Sequence, residues 1–331
     1  MKVFVYEYCA CQPATGGGTT AALRGEGLAM LAAVMEDLGQ VPGVAPVALV
    51  AADLPTVAFP HQTIEPGVEK RRFLELAGRS RFTLVIAPET DGLLEQRCRW
   101  VQKGGGRLLG PDPEAVHLTA DKLALAEHLF AHRIPTPATF TARPSWLTPP
   151  AVYKPRFGAG SLLTFLLKSL DERERIRRAF PDVEFVLQWY HRGVAASVTF
   201  LVGPDVCVPL RPARQNIRIR SGEMSYRGGE APLQEPFAGR ATELAARAVQ
   251  SVPGLRGYVG VDVVLDRGKD HRDVVIEINP RLTTSYLGLR RMSRVNLAAA
   301  MLDAVQGRRP GLRWHHGRAA SWTKDGAVRL G

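Results

Sequence analysis

Cysteine is scarce in this 331-residue chain, which carries only Cys9, Cys11, Cys98 and Cys207. Cys9 and Cys11 stand too close for the usual zinc pair, no second Cys/His pair completes a site, and His315-His316 lacks partners. Scattered cysteines without a secretory segment exclude a disulfide framework and point to reduced thiols in the cytoplasm. Long apolar runs are missing too: no stretch approaches the roughly 18 residues that a membrane helix needs. The opening Met-Lys-Val-Phe-Val-Tyr-Glu-Tyr holds charge inside a short apolar run, so it reads as a first strand and not a signal peptide. Charge of one sign never runs long. The 43 basic residues are interleaved with 32 acidic ones, so the net charge of +11 forms no tract. That pattern favours a positive cleft for small anions over nucleic acid or a membrane as partner. G-x-G-x-x-G is absent as well. The loop ending in Gly16-Gly17-Gly18 could cradle phosphate at a helix N-terminus, but no acidic residue ends a second strand where a ribose would sit. It reads as closing the ligand end of a first domain, with Glu7 nearby.

What is present is ordinary globular composition, 45% apolar and 23% charged, over a length that allows two or three compact units. The wealth of Ala, Arg, Gly and Pro beside few Lys reflects genome composition. Strand Lys2–Tyr6, a helix from about Thr20 to Leu38, strands Val47–Val50 and Phe82–Ala87, helices Val68–Gly78 and Leu93–Lys103 and a last strand near Arg107–Leu109 alternate. Such β-α alternation implies an open, mostly parallel sheet over residues 1–110. Glu89-Thr90-Asp91 follows a strand at the edge where open sheets bind ligands; helix capping is the competing explanation. Gly110-Pro111-Asp112-Pro113 marks a boundary, followed by a helical segment Pro113–Arg133 that contains Asp121-Lys122, an unremarkable pair on a wet helix face.

A short strand Ala151–Lys154 then runs into Lys154-Pro155-Arg156-Phe157-Gly158-Ala159-Gly160-Ser161. An ammonium beside flexible glycines suits phosphate, because backbone N–H groups can approach the same oxygens; a plain hairpin turn is the bland reading. Helix Leu170–Arg178, strand Glu184–Tyr190, which ends in Gln188-Trp189-Tyr190, and strand Ala195–Val202 follow. The aromatics there read as core or as a binding edge. Pro209–Gly229 shows no regular pattern and is strongly basic, with Arg211, Arg214, Arg218, Arg220 and Arg227, whose guanidinium forks suit carboxylate or phosphoryl groups. Helix Phe237–Val252, closing helix Val295–Gln306 and a loose tail from Arg308 complete the chain.

The richest stretch is Gly257–Arg281. Two β-branched runs, Tyr258–Leu265 and Val274–Ile278, flank a polar loop and read as a hairpin. A loop symmetric about Lys269/Asp270 sets Asp262 opposite Glu277, and Asn279 shares the face of Glu277. Two carboxylates and an amide without thiol or imidazole make a hard-oxygen set suited to Mg²⁺; the competing reading is solvated polar residues on the wet face of a hairpin. Pro280 ends the strand, and Arg281 with Thr283-Thr284-Ser285 offers a segment for anions.

Glu-Ile-Asn-Pro-Arg after such a hairpin resembles the metal-binding strand of the ATP-grasp ligases. The longer Glu-Ile-Asn-Pro-Arg-Leu-Thr-Thr-Ser-Tyr-Leu-Gly-Leu, with Arg214-Gln215-Asn216 and Tyr226-Arg-Gly-Gly229, resembles the tyramine–glutamate ligase branch of methanofuran and methylofuran biosynthesis. The resemblance covers 110 to about 306 by motif, and the first domain by layout. It implies an open parallel-sheet pre-ATP-grasp domain (1–110), an N-terminal ATP-grasp subdomain with the phosphate loop (111–190), a C-terminal subdomain with the metal hairpin (191–310) and a tail (311–331). It implies a cytoplasmic enzyme using ATP and two Mg²⁺ ions, with Mn²⁺ as substitute, and a homodimer as common assembly. Asp262, Glu277 and Asn279 would hold the metal, Lys122 and Lys154 the phosphates, and Gly158, Gly160 and Ser161 a mobile lid. Gln188, Trp189 and Tyr190 would read the adenine, although no acidic residue for the ribose follows Tyr190. Arg281 and Arg214 would stabilise an acyl phosphate made from glutamate before tyramine or a similar amine attacks. A ligase for another amino acid, such as a D-alanine-like substrate, and a regulatory nucleotide-binding protein without turnover are the alternatives; the intact ligand set argues against the second.

Overall fold

The computed structural model describes residues 1–331 except 14–18, 55–56, 66, 143, 145–146 and 269, and, for residues 19–22 and 170, the backbone only. The Gly16–Gly18 loop and the Lys269 centre of the hairpin loop therefore lie outside the described residues. The first sheet joins β1 (Lys2–Glu7), β2 (Ala45–Ala51), β3 (His61–Ile64) and β4 (Phe82–Ile86) in the order β3-β2-β1-β4, all parallel. Helix α1 (Thr19–Gly39) links β1 to β2; α2 (Glu69–Arg79) and α3 (Leu93–Lys103) flank β4. Alternate β1 residues serve opposite faces. Val3 and Val5 pack with Leu31, Val34 and Leu38 of α1, whereas Phe4 and Tyr6 pack with Phe73, Leu76 and Leu94 of α2 and α3. Both faces are covered, which is why β1 reads as a continuous apolar run. The short, largely exposed β3 gave no sequence signal. The strand expected at 107–109 is a single parallel bridge, Thr83 to Leu108.

Two helices, α4 (Pro113–Ala120) and α5 (Lys122–Ala131), replace the continuous helix read from 113 to 133. Asp121 breaks it: its backbone is extended, and its carboxylate accepts hydrogen bonds from the N–H groups of Leu123 (3.0 Å) and Ala124 (3.3 Å), capping α5. The second sheet follows, antiparallel throughout its described pairings. Its strands are β5 (Thr139–Phe140), β6 (Ala151–Pro155), β7 (Phe165–Leu167), then, after α6 (Leu170–Ala179), β8 (Phe185–Trp189), β9 (Val194–Gly203), β10 (Val206–Pro209), β11 (Ala213–Arg220) and β12 (Glu223–Ala231). Helix α7 (Phe237–Ser251) leads to β13 (Gly257–Leu265) and β14 (Val274–Asn279), and α8 (Ser285–Met292) and α9 (Leu297–Val305) close the body before β15 (Ala320–Thr323) and β16 (Val328–Leu330). The order is β14-β13-β9-β11-β12-β7-β6-β8-β5, with β10 beside β9 and β15 beside β12. The β12–β7 join is narrow: one register pair, Glu223 with Phe165, flanked by Leu166 N–H to Gly222 O (2.7 Å) and Met224 N–H to Thr164 O (2.8 Å).

Two sequence expectations are corrected here. The segment 209–229 is not irregular: β11 and β12 form a hairpin whose register shifts between Gln215 and Ile217, and exposed arginines and the shift disguise its alternation. The tail is not loose, because β15 pairs with β12 and buries Ala320 and Trp322. Among the described residues no helix is long and apolar enough to cross a membrane.

Candidate active site

A cavity of about 200 Å³ lies between the β6–β8 wall and the β9–β13–β14 wall. The hairpin register places Asp262 directly opposite Glu277 and Gly260 opposite Asn279, with Val261, Val263 and Ile278 turned into the core beneath. Asn279 donates through Nδ2 to Asp262 Oδ2 (3.2 Å), leaving its Oδ1 as the atom for a cation. Gln215 Nε2 donates to Asp262 Oδ1 (2.9 Å), a contact that the sequence did not single out because 209–229 showed no period. Burial, then the neighbouring Glu277 charge, pushes the Asp262 carboxyl far up. Burial works the same way on Glu277, yet the Lys122 and Lys154 charges win and hold it below its ordinary value.

Lys154, at the end of β6, is buried, and burial pulls its pKa down to about 8, with Lys122 adding to the fall and Glu277 and Asp262 opposing it. Lys122, in the first turn of α5, reaches across to donate to Gly158 O (2.9 Å). Arg156 explains why Asp121 precedes it. The guanidinium makes a two-point pair with the capping carboxylate, its Nε to Oδ1 at 2.8 Å and its Nη2 to Oδ2, and so ties α5 to the end of β6. Gly158, Gly160 and Ser161 line the cavity, and Gly160 has φ +66°, the left-handed region that glycine enters without a Cβ clash. Gln188 is buried and donates to Thr139 Oγ1 (2.9 Å), Trp189 stands 46% exposed, and both line the cavity with Tyr190. Trp189 is therefore not core.

Arg281 makes a buried two-point pair with Glu89, Nε to Oε1 at 2.9 Å and Nη2 to Oε2 at 3.1 Å. Glu89, just past β4, thus holds the cavity-lining Arg281 and forms no side-chain cap, which corrects the capping reading. Arg214 is a second correction. Strand alternation turns Gln215 and Ile217 toward the cavity and Arg214 to the opposite face, where it lies 53% exposed and 3.5 Å from Glu230. None of Arg211, Arg218, Arg220 or Arg227 lines the cavity either. Glu26 of α1 and Tyr226 of β12 do, and sequence reasoning named neither carboxylate nor phenol as a site group.

A family model described as the ATP-grasp domain matches residues 119–285, and one described as the pre ATP-grasp 3 domain matches 44–116. The chain belongs to the ATP-grasp family. Two curated relatives are tyramine–L-glutamate ligases. That of Methanocaldococcus fervens is 28% identical over 209 residues, 63% of this chain and 61% of that protein; that of Methanocaldococcus jannaschii is 29% identical over 63% and 58%. The match thus spans about three fifths of the curated relatives' length. Among solved structures, a putative ATP-grasp superfamily protein from Archaeoglobus fulgidus has TM-score 0.75 and 26% identity over 97% of this chain and 91% of that one. An L-amino acid ligase from Bacillus licheniformis shares the fold, with TM-score 0.72 and 14% identity over 97% and 78%.

The donor set of this ATP-grasp site fits a hard divalent cation. Asp262 and Glu277 stand side by side, half-buried, at an electrostatic cost that a cation between them would offset, and every available ligand atom is oxygen. Among the described residues no three His, Cys, Asp or Glu side chains gather to hold a metal, so substrate oxygens and water would complete the coordination of this two-carboxylate, one-amide set.

Proposed function

We propose that the chain is an ATP-dependent carboxylate–amine ligase that joins the glutamate γ-carboxyl to tyramine or a similar aryl-ethylamine through an acyl phosphate. The observation that carries this reading is the facing of Lys122, Lys154 and the glycine loop with Asp262, Glu277 and Asn279 across one cavity. The names of the two curated relatives supply the substrates. The substrate carboxylate takes the γ-phosphoryl group while ADP departs; the amine nitrogen then attacks the acyl carbon, phosphate leaves and the nitrogen loses a proton. No protein nucleophile is required, and catalysis is alignment and charge neutralisation.

In this scheme Lys122 and Lys154 meet the phosphates, Gly158, Gly160 and Ser161 offer backbone N–H groups, and Gln188, Trp189 and Tyr190 border the base. Asp262, Glu277 and Asn279 would hold Mg²⁺, two ions with Mn²⁺ as substitute, whose charge would offset that of the phosphates. Arg281 faces the reacting carboxylate; Arg214, on the far side of β11, has no part. The spans of the two family models support the boundary near 110; the further division into 111–190 and 191–310 belongs to this proposal, with 311–331 folded back through the β15–β12 pairing.

ADP release from ATP·Mg²⁺ with glutamate and tyramine, each omitted in turn, tests the proposal. Release that needs both substrates and falls at least a hundredfold in Glu277→Gln is the expected result. Release with a different carboxylate–amine pair would move the substrates, and tight ATP binding without turnover on any pair would sink the ligase.

A further inference from the structure

Tyr226 lines the cavity from β12. Its phenol oxygen accepts two hydrogen bonds, from Trp322 Nε1–H at 3.0 Å and from Thr284 Oγ1–H at 3.1 Å. A phenol oxygen has two lone pairs and one proton. Both lone pairs are taken, and the proton has no acceptor among the described residues. Accepting two bonds polarises the O–H and makes it a stronger donor. Burial pushes its pKa up to about 12, against the pull of the two donors, so the proton stays in place at neutral pH.

Trp322 belongs to the C-terminal hairpin, beyond the 119–285 span of the ATP-grasp model. Its side chain is 3% exposed and sits in a slot kept open by glycine. A Cβ added to Gly288 of α8 would lie 2.1 Å from Trp322 Cε3, and one added to Gly229 of β12 would lie 2.8 Å from Cζ2. The Gly229–Trp322 register pair fixes the ring along the strand. Two elements thus make room for this indole, and its N–H is spent on a cavity phenol.

We propose that Tyr226 donates a hydrogen bond to an oxygen of the carboxylate that the reaction activates, and that Trp322 is a positioning residue that holds the phenol for that task. The proposal rests on the ligase reading. An ionised carboxylate is a stronger acceptor for this O–H than a neutral amine, whose lone pair is committed to the attack, or a phenol. The ligase reading gives the phosphates to Lys122 and Lys154, whereas Tyr226 is bonded to Thr284, in the segment that lines the cavity through Arg281, Thr283 and Ser285. Negative charge grows on the acyl oxygen as the amine attacks, so the same bond strengthens along the reaction.

The test is a double-mutant cycle in the full-length protein, with ATP·Mg²⁺, L-glutamate and tyramine as the assay. Tyr226→Phe keeps the ring and deletes the donor; Trp322→Phe keeps an aromatic in the slot and deletes the N–H. Tyr226→Phe is expected to raise the KM for glutamate and lower kcat, each by roughly tenfold, with the KM for ATP unchanged. Trp322→Phe is expected to shift the same parameters by a few-fold and to add nothing in the Tyr226→Phe background, because its effect passes through the phenol. An equal cost for Trp322→Phe in both backgrounds overturns the positioning role. Unchanged glutamate KM and kcat in Tyr226→Phe overturn the donor role. Should the wild type turn over no substrate pair, the ligase reading fails by itself. Calorimetric titration of L-glutamate into the ADP·Mg²⁺ complex then decides: weaker binding by Tyr226→Phe supports the donor, and equal binding removes it.

Discussion

Glu7 is 2% exposed at the end of β1, its carboxylate accepting from Ala10 N–H at 2.6 Å, with Gly27 of α1 so close that an added Cβ would lie 2.3 Å from Oε1. Burial pushes its pKa up to about 7, although the N–H groups of Ala10 and Cys9 pull it down. The folded chain therefore holds this proton more tightly than the unfolded chain, whose carboxyl ionises near 4.5. The stability from the protonated form is complete below pH 4.5 and is lost as pH rises through 7, by at most about 3 kcal/mol. Urea unfolding at pH 5 and pH 8 checks this: Glu7→Gln should flatten that part of the pH dependence, and an unaltered slope would assign it to other groups. Lys154 shows the opposite logic, a buried cation pulled down to about 8 by burial and Lys122, with Glu277 and Asp262 opposing the fall.

At the scale of elements, the break between α4 and α5 decides where Lys122 points. Asp121 caps α5 and pairs with Arg156, so Asp121→Ala is expected to cost about 1 kcal/mol for the cap, with a smaller addition from the partly exposed ion pair. Asp121→Asn keeps the cap and should lose less; equal urea midpoints for the two variants would show that the ion pair, and not the cap, carries the loss. Periodicity exposed α1, α3 and the β13–β14 hairpin because their apolar spacing is regular and their partners are near in sequence. It could not show the Asp121 break, since helical spacing continues through it and the partner Arg156 comes 35 residues later. Nor could it show β11 and β12, where a register shift and outward arginines hide the alternation, or the buried side of β15, whose only large apolar residue is Trp322. The carboxylate–amide set was legible because a hairpin fixes it locally, whereas Gln215, Glu26 and Tyr226 reach the cavity from elements that no local pattern brings together.

For the whole molecule, polar contacts bind the first sheet's layer to the last helices. Asp37 of α1 accepts from Tyr286 and from Arg290 Nε (2.9 Å), and Asn296 Nδ2 donates to Asp37 O (2.7 Å). The Glu89–Arg281 pair spans the same divide over 192 residues of sequence. Removing Glu89 alone strands a buried guanidinium, so Glu89→Leu is expected to cost about 3–5 kcal/mol, and Glu89→Leu with Arg281→Met clearly less. Thermal unfolding of the two variants checks this, and a double variant no more stable than the single one would contradict it.

The narrow β12–β7 join gives the same molecule an uneven stiffness. The wall carrying Lys154 and the wall carrying Asp262 belong to one hydrogen-bonded sheet, yet between them the sheet's backbone connection thins to the Glu223–Phe165 pair and its two flanking bonds. A long plate narrowed at one line bends there before it bends anywhere else. Within this sheet the backbone resists bending least along that seam, so the gap between phosphate loop and metal hairpin is a dimension that such bending would change.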